Sequence, residues 1–181
     1  VLNDTENCEW WDGTTEDKFA DWAIGKKLVQ TPKMSISVLI YNGETQEPTY
    51  TYDDIWTIVS GIRKSKAAGK KTITFSIDDP DRGEFEGGAT SISLEWEILK
   101  LTQRFYINGY LNVTSNDGEE HGEGHEFIIE VDDYVKYDGI TKTSNYGQNY
   151  VINFRLKDKY NCEWWDGTTE DKHVVWTHTK G

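Results

Sequence analysis

Residues 7–18 read Asn-Cys-Glu-Trp-Trp-Asp-Gly-Thr-Thr-Glu-Asp-Lys, and the same twelve residues recur unchanged as 161–172, an offset of 154. Identity of that length excludes chance. At the same offset Trp22 matches Trp176 and Lys26 matches Lys180. The residues between show no further copy at this period, which argues against a solenoid or propeller. Three origins stay open: the segment marks a boundary in a tandem array of modules, it forms paired elements at the two ends of one domain, or the sequence was shuffled or designed. Since 181 residues fit one ordinary domain, residues 1–181 are read as one. The chain starts at Val1 with no charged, apolar leader, so the expectation is a module of a longer polypeptide, or a secreted chain whose signal has been removed.

Between the repeats the hydrophobic pattern is that of strands. Residues 71–77 alternate, with Ile73, Phe75 and Ile77 on one face and Thr72, Thr74 and Ser76 on the other. Residues 91–101 place Ile92, Leu94, Trp96 and Ile98 on one side in the same way. Residues 34–41, 126–135, 149–156 and 174–179 are further strands, and Asn108-Gly109 inside 105–113 predicts a two-residue hairpin turn. One segment departs from this pattern. Ile55, Ile58, Val59 and Ile62 recur at helical spacing behind Asp53 and Asp54, which predicts a helix over about residues 53–68. The expected fold is therefore mainly β, an antiparallel β-sandwich or jelly roll carrying one helix, with an α+β roll as the alternative.

Charge narrows the partners. With 19 Lys+Arg against 32 Asp+Glu the net charge is −13, which repels phosphate backbones and anionic lipid. Neither nucleic acid nor membrane is expected as a partner, mimicry of DNA by the acidic surface aside, and no apolar run approaches a membrane span. The chain is nevertheless rich in aromatics, with eight Trp. Six of these fall inside or beside the terminal repeats, leaving Trp56 and Trp96 for the central body.

Adjacent residues of an extended chain point to opposite faces, so Trp10 and Trp11 cannot share one core, nor can Trp164 and Trp165. An exposed indole can stack on the apolar face of a sugar ring while neighbouring carboxylates bind its hydroxyls. Glu9, Asp12, Glu163 and Asp166 stand beside these tryptophans, with Trp22 and Trp176 as secondary candidates. The opposing reading buries both members of each pair, one in the core and one under a loop. The Trp-Trp pairs, set among acidic, Tyr- and Thr-rich strands, resemble the β-sandwich carbohydrate-binding modules of plant-cell-wall-degrading enzymes, cellulosomal ones included. That resemblance implies a non-catalytic, extracellular module that docks on β-glucan-type polysaccharide through Trp10, Trp11, Trp164 and Trp165. The alternative is a structural or assembly protein whose terminal repeats mediate contacts between subunits, with the tryptophans as interface anchors and self-association as the result.

Other chemistry is thinner. Asp79 and Asp81 lie in an acidic stretch around Pro80 and Gly83 whose hard oxygens suit a structural Ca²⁺, although the spacing is not that of a twelve-residue calcium loop. His121 and His125 stand in an acidic, Gly-rich loop as weaker metal ligands. Glu95 and Glu97 share a strand face, but carboxylate pairs are inevitable in so acidic a chain, and neither a nucleophile elbow nor a phosphate loop is present. The chain is read as non-enzymatic. Cys8 and Cys162 would close a disulfide if the two repeats lay side by side.

Overall fold

Alternation governs the chain from residue 27 onward. The computed structural model describes residues 1–181 and holds eighteen strands and no helix. The first eight are β1 (Lys27–Val29), β2 (Lys33–Ile36), β3 (Val38–Ile40), β4 (Thr49–Thr51), β5 (Thr57–Gly61), β6 (Gly69–Ile77), β7 (Gly83–Phe85) and β8 (Ser91–Leu99). They form a four-stranded sheet in the order β3-β8-β6-β5, an antiparallel pair β2-β4 and a parallel pair β1-β7. Only β3 runs parallel to its neighbour in the larger sheet.

The next ten repeat this plan. They are β9 (Leu101–Gln103), β10 (Phe105–Gly109), β11 (Asn112–Ser115), β12 (His121–Gly122), β13 (Phe127–Val131), β14 (Val135–Gly139), β15 (Lys142–Thr143), β16 (Gln148–Leu156), β17 (Cys162–Trp164) and β18 (Lys172–Lys180). The larger sheet is β11-β18-β16-β14, with β11 parallel to β18, and the smaller pairs are β10-β13 and the parallel β9-β17. The added ladder β12-β15 stands where the first unit has a single bridge, Gln46 to Ser65. The middle of the chain thus carries a structural copy that the sequence did not show. Residues 27–99 and 101–180 are two units of one design, and the repeat period is roughly half the 154-residue offset.

Each unit buries matching positions. Ile73, Phe75 and Ile77 on β6 correspond to Ile152, Phe154 and Leu156 on β16, all within the core. Trp96 and Ile98 on β8 correspond to Trp176 and His178 on β18, and Phe85 on β7 to Trp164 on β17. The smaller pairs close over these cores through aromatics. Tyr50 of β4 meets Phe75 edge-on at 5.4 Å, and Phe105 of β10 stacks on Phe154 at 3.8 Å. Gly61 and Gly139 end β5 and β14 with φ of +87° and +122°. A Cβ there would lie 2.5 and 2.2 Å from the carbonyl oxygens of Thr72 and Val151. The residue after each glycine then offers its carbonyl to a buried indole: Trp96 Nε1 donates to Ile62 at 2.8 Å and Trp176 Nε1 to Ile140 at 2.6 Å.

Three local expectations are corrected. No helix forms over residues 53–68, which also removes the α+β roll. The Asp53 carboxylate does accept hydrogen bonds from the N–H groups of Ile55 and Trp56, as a helix cap would, but the chain then enters β5 because β6 offers a ladder from Thr57 to Gly61. Asn108-Gly109 makes no hairpin either. β10 pairs with β13, placing Gly109 opposite Phe127, while β11 leaves to join β18. The disulfide is absent: Cys8 is exposed, Cys162 is buried, and both are free thiols.

A single residue joins the units. Lys100 separates β8 from β9, and β9 already belongs to the second unit through its ladder to β17. Across this junction the Asn161 side chain accepts a hydrogen bond from Ala68 N–H at 2.7 Å, and Lys100 Nζ donates to the Lys159 carbonyl at 3.1 Å. Tyr41 and Tyr134 meet edge-on at 5.8 Å.

Candidate functional site

The repeated twelve residues build a self-contained turn. In residues 161–172, Asp158 starts it: its carboxylate accepts from the N–H groups of Tyr160 and Asn161 at 3.1 Å, and its carbonyl accepts from Cys162 N–H. Trp164 N–H donates to the Thr168 carbonyl at 2.8 Å, Gly167 N–H donates back to Trp164 at 2.9 Å, and the Trp164 indole donates to the Glu170 carbonyl at 2.6 Å. Asp166 locks the outer rim by accepting from Thr168 and pairing with Lys172. Those two contacts, Lys172 foremost, hold the Asp166 carboxyl down to about 2.

The same bonds recur in residues 4–18. Asp4 accepts from Glu6 and Asn7, Trp10 N–H donates to Thr14, the Trp10 indole donates to Glu16 at 2.7 Å, and Asp12 accepts from Thr14 and pairs with Lys18. The Asp12 carboxyl is lowered by Lys18 first and by Thr14 second. A third, diverged copy lies in the first unit. There Gly83 N–H donates to the Asp79 carbonyl, Phe85 N–H to Ala89, and Gly88 N–H to Phe85. This places Asp79 in the role of Asp158. Its carboxylate caps Asp81 N–H at 3.1 Å, and no group of three or more His, Cys, Asp or Glu side chains converges as a metal site anywhere.

The structure divides the candidate residues sharply. Trp164 and Trp176 are fully buried, each within its unit's core. Trp165 is 47% exposed and Trp11 is 93% exposed, while Trp10 is half-buried and Trp22 is exposed. Glu9, Asp12 and Asp166 are exposed, and Glu163 is half-buried at the edge of the unit junction. Trp165 has its own surroundings. Phe105 meets it edge-on at 5.3 Å, Lys172 Nζ lies 5.4 Å from its ring, and with Arg104 and Tyr106 it lines a shallow groove of about 250 Å³. None of these aromatic contacts involves Trp10 or Trp11. The two Trp-Trp pairs therefore share no stacking.

Sequence reasoning missed a concavity between the units. An open cleft of about 730 Å³ sits at the junction, with Ile40, Ala68, Leu99, Leu101 and Tyr160 among its walls. Its signal was the unbroken run from β8 through Lys100 into Leu101, which reads as one long strand until the second unit is recognised. His121 is held by Glu126 and Asp117, each at 2.9 Å, and these two carboxylates, Glu126 first, raise its pKa. His125 and His178 stand beside it, ring centres 6.2 and 5.1 Å away, and His178 is buried with Nε2 on Ser115 and Nδ1 without a partner.

No known family of proteins, curated protein or solved structure matches this chain.

Proposed function

We propose that the chain is a structural protein, a stack of tandem β-sandwich units with a load-carrying or spacing role at an extracellular surface. The observation that carries this reading is the junction: one residue, Lys100, separates the last strand of one unit from the first of the next and is itself bonded to Lys159, and Asn161 and Tyr134 of the second unit meet Ala68 and Tyr41 of the first. A linker that short leaves little freedom for hinge motion. The two-layer sandwich in each unit is supported by the way Tyr50 and Phe105 cover the larger sheets. Residual dipolar couplings test the idea. A rigid stack gives both units one shared alignment tensor, and separate tensors for residues 27–99 and 101–180 would reject it.

A second reading keeps polysaccharide as partner, with Trp165 as its anchor. The half-exposed indole, bracketed by Tyr106, Phe105 and Arg104, offers an apolar face and donors of the kind a pyranose uses. Trp165 fluorescence should then shift on adding soluble β-glucans. An unchanged spectrum across a panel of glycans removes this reading and leaves the structural one.

A further inference from the structure

We infer that residues 1–26 are the closing third of another unit, and that their surface takes as partner the front part of a unit of this same type, a polypeptide with strands like β9 to β16. The inference rests on the tandem-unit reading above. Three observations carry it. First, the turn at 4–18 reproduces the hydrogen bonds of 158–172, including the donation from the Asn7 side chain to Asp4 that mirrors Asn161 to Asp158. Second, residues 18–26 repeat the face of the closing strand. Ala20, Trp22 and Ile24 alternate as Leu94, Trp96 and Ile98 do on β8, and as Val174, Trp176 and His178 do on β18. Third, Lys26 leads directly into β1 as Lys100 leads into β9, and Lys27 N–H donates to Arg82 at 2.8 Å where Leu101 N–H donates to Asn161 at 2.9 Å.

What covers such a segment is visible in the same molecule. Around Trp164 and Trp176 the second unit supplies Phe105 at 5.8 Å, Tyr150 at 4.9 Å, Phe127 at 5.5 Å and the Ile140 carbonyl for the Trp176 indole. Residues 18–26 have none of these and form no strand, leaving Trp22 and Ile24 of that face more than 80% exposed. An apolar face of that kind on an otherwise acidic chain marks a protein contact. The partner must bring an apolar central strand, an aromatic on the neighbouring pair, and a carbonyl turned inward after a glycine. Strand addition of this kind places backbone hydrogen bonds and alternate pockets together.

Because Val1 aligns with Arg155 and Leu2 with Leu156, the full chain can be extended by placing a copy of residues 101–154 directly before Val1, in register. Amide exchange at residues 18–26 should then slow at least ~100-fold, approaching that of 172–180, with Trp22 emission moving to the blue. Residues 18–26 that stay unprotected in the extended chain overturn the proposal. A second extended chain, with residues 19–25 also replaced by 173–179, shows whether the added front part folds; protection there but not in the first chain overturns it as well. Burial of Trp22 in the unextended chain by a second copy, seen as concentration-dependent protection, overturns it in favour of self-association. The dipolar couplings of residues 27–180 report on the stacking itself, so a failure of that reading is seen apart from a failure of this one.

Discussion

Residues 7–18 and 161–172 are the same sequence in two settings. Both fold into the same turn, with the indole of Trp10 or Trp164 bonded to the carbonyl six residues on. Only one copy is tied into sheets. At 161–172 the turn is flanked by β17 and β18, whose ladders reach β9, β16 and β11, and Cys162 and Trp164 are fully buried. At 7–18 no ladder forms and Cys8 is exposed. The turn is thus a property of its own residues: Asp at the start, Gly at the positive-φ position, and a Thr and Lys for the acidic rim to hold. Strand formation and burial depend instead on neighbours far along the chain, because an edge segment gains its hydrogen bonds only from a partner strand.

The widest gap between the copies should be in thiol chemistry. Cys8 is expected to react with an aromatic disulfide reagent at the rate of an open thiol. Cys162 is sealed in the core and its thiol is pushed up to about 11 by burial, so it reacts only when the second unit opens, slower by a factor on the order of 10³ or more. Two equal fast phases would mean that β17 does not hold. Substitution of the tryptophans is the energetic counterpart. Trp164→Ala removes a fully buried side chain and is expected to cost about 3–5 kcal/mol in denaturant melts. Trp10→Ala, outside any sheet, should change the same melt by less than about 0.5 kcal/mol. Similar losses at both sites would show that residues 1–26 are packed into the fold in solution.

The long strands were legible because alternation over β6, β8, β16 and β18 is unambiguous and one face of each is apolar. What alternation does not state is which partner a strand finds. Asn108-Gly109 has hairpin chemistry, yet β11 is claimed by β18. Ile55, Ile58, Val59 and Ile62 have helical spacing, but β5 begins at Thr57 and its β-branched residues suit the ladder on β6. The central copy of the repeat was hidden because only Glu84, Gly88 and Thr90 match Glu163, Gly167 and Thr169, with Gly83 for Cys, Phe85 and Glu86 for the two Trp, Gly87 for Asp, and a one-residue shift between Ala89 and Trp96 relative to Thr168 and Trp176. Of the site, the inside-outside split of Trp164 and Trp165 follows from the extended chain at β17, whereas at Trp10-Trp11 no strand forms and neither residue is buried. The burial of Trp176 does not follow, since the sequence leaves open which face of β18 meets the core.

A glycine pair sharpens the comparison at smaller scale. Gly13 and Gly167 hold φ of +76° and +77°, and at both a Cβ would enter open space, so alanine there is penalised by backbone conformation alone. Gly167→Ala should destabilise the second unit by about 1–2 kcal/mol, because the fold enforces the turn. Gly13→Ala should leave the global melt unchanged and only loosen the local turn, seen as loss of the Trp10 indole N–H protection.

The smallest difference lies in acid. The Asp166 carboxyl sits at about 2 against an ordinary 3.8, held there by Lys172 and then Thr168, and Asp12 is lowered by the matching pair Lys18 and Thr14. A folded-state pKa below the unfolded value means that the ionised form is the one the fold favours. Its contribution is complete above the ordinary carboxylate range and is lost as pH falls through the folded value. Carboxyl NMR should therefore show Asp166 titrating near 2 and Asp12 below its ordinary value, even though only the first lies against a sheet. In Asp166→Asn the loss of stability of the second unit between pH 4 and pH 2 should be shallower, while Asp12→Asn leaves that slope as it was. The turn is the same in both places, and only where β17 and β18 carry it into the core does its protonation reach the stability of the fold.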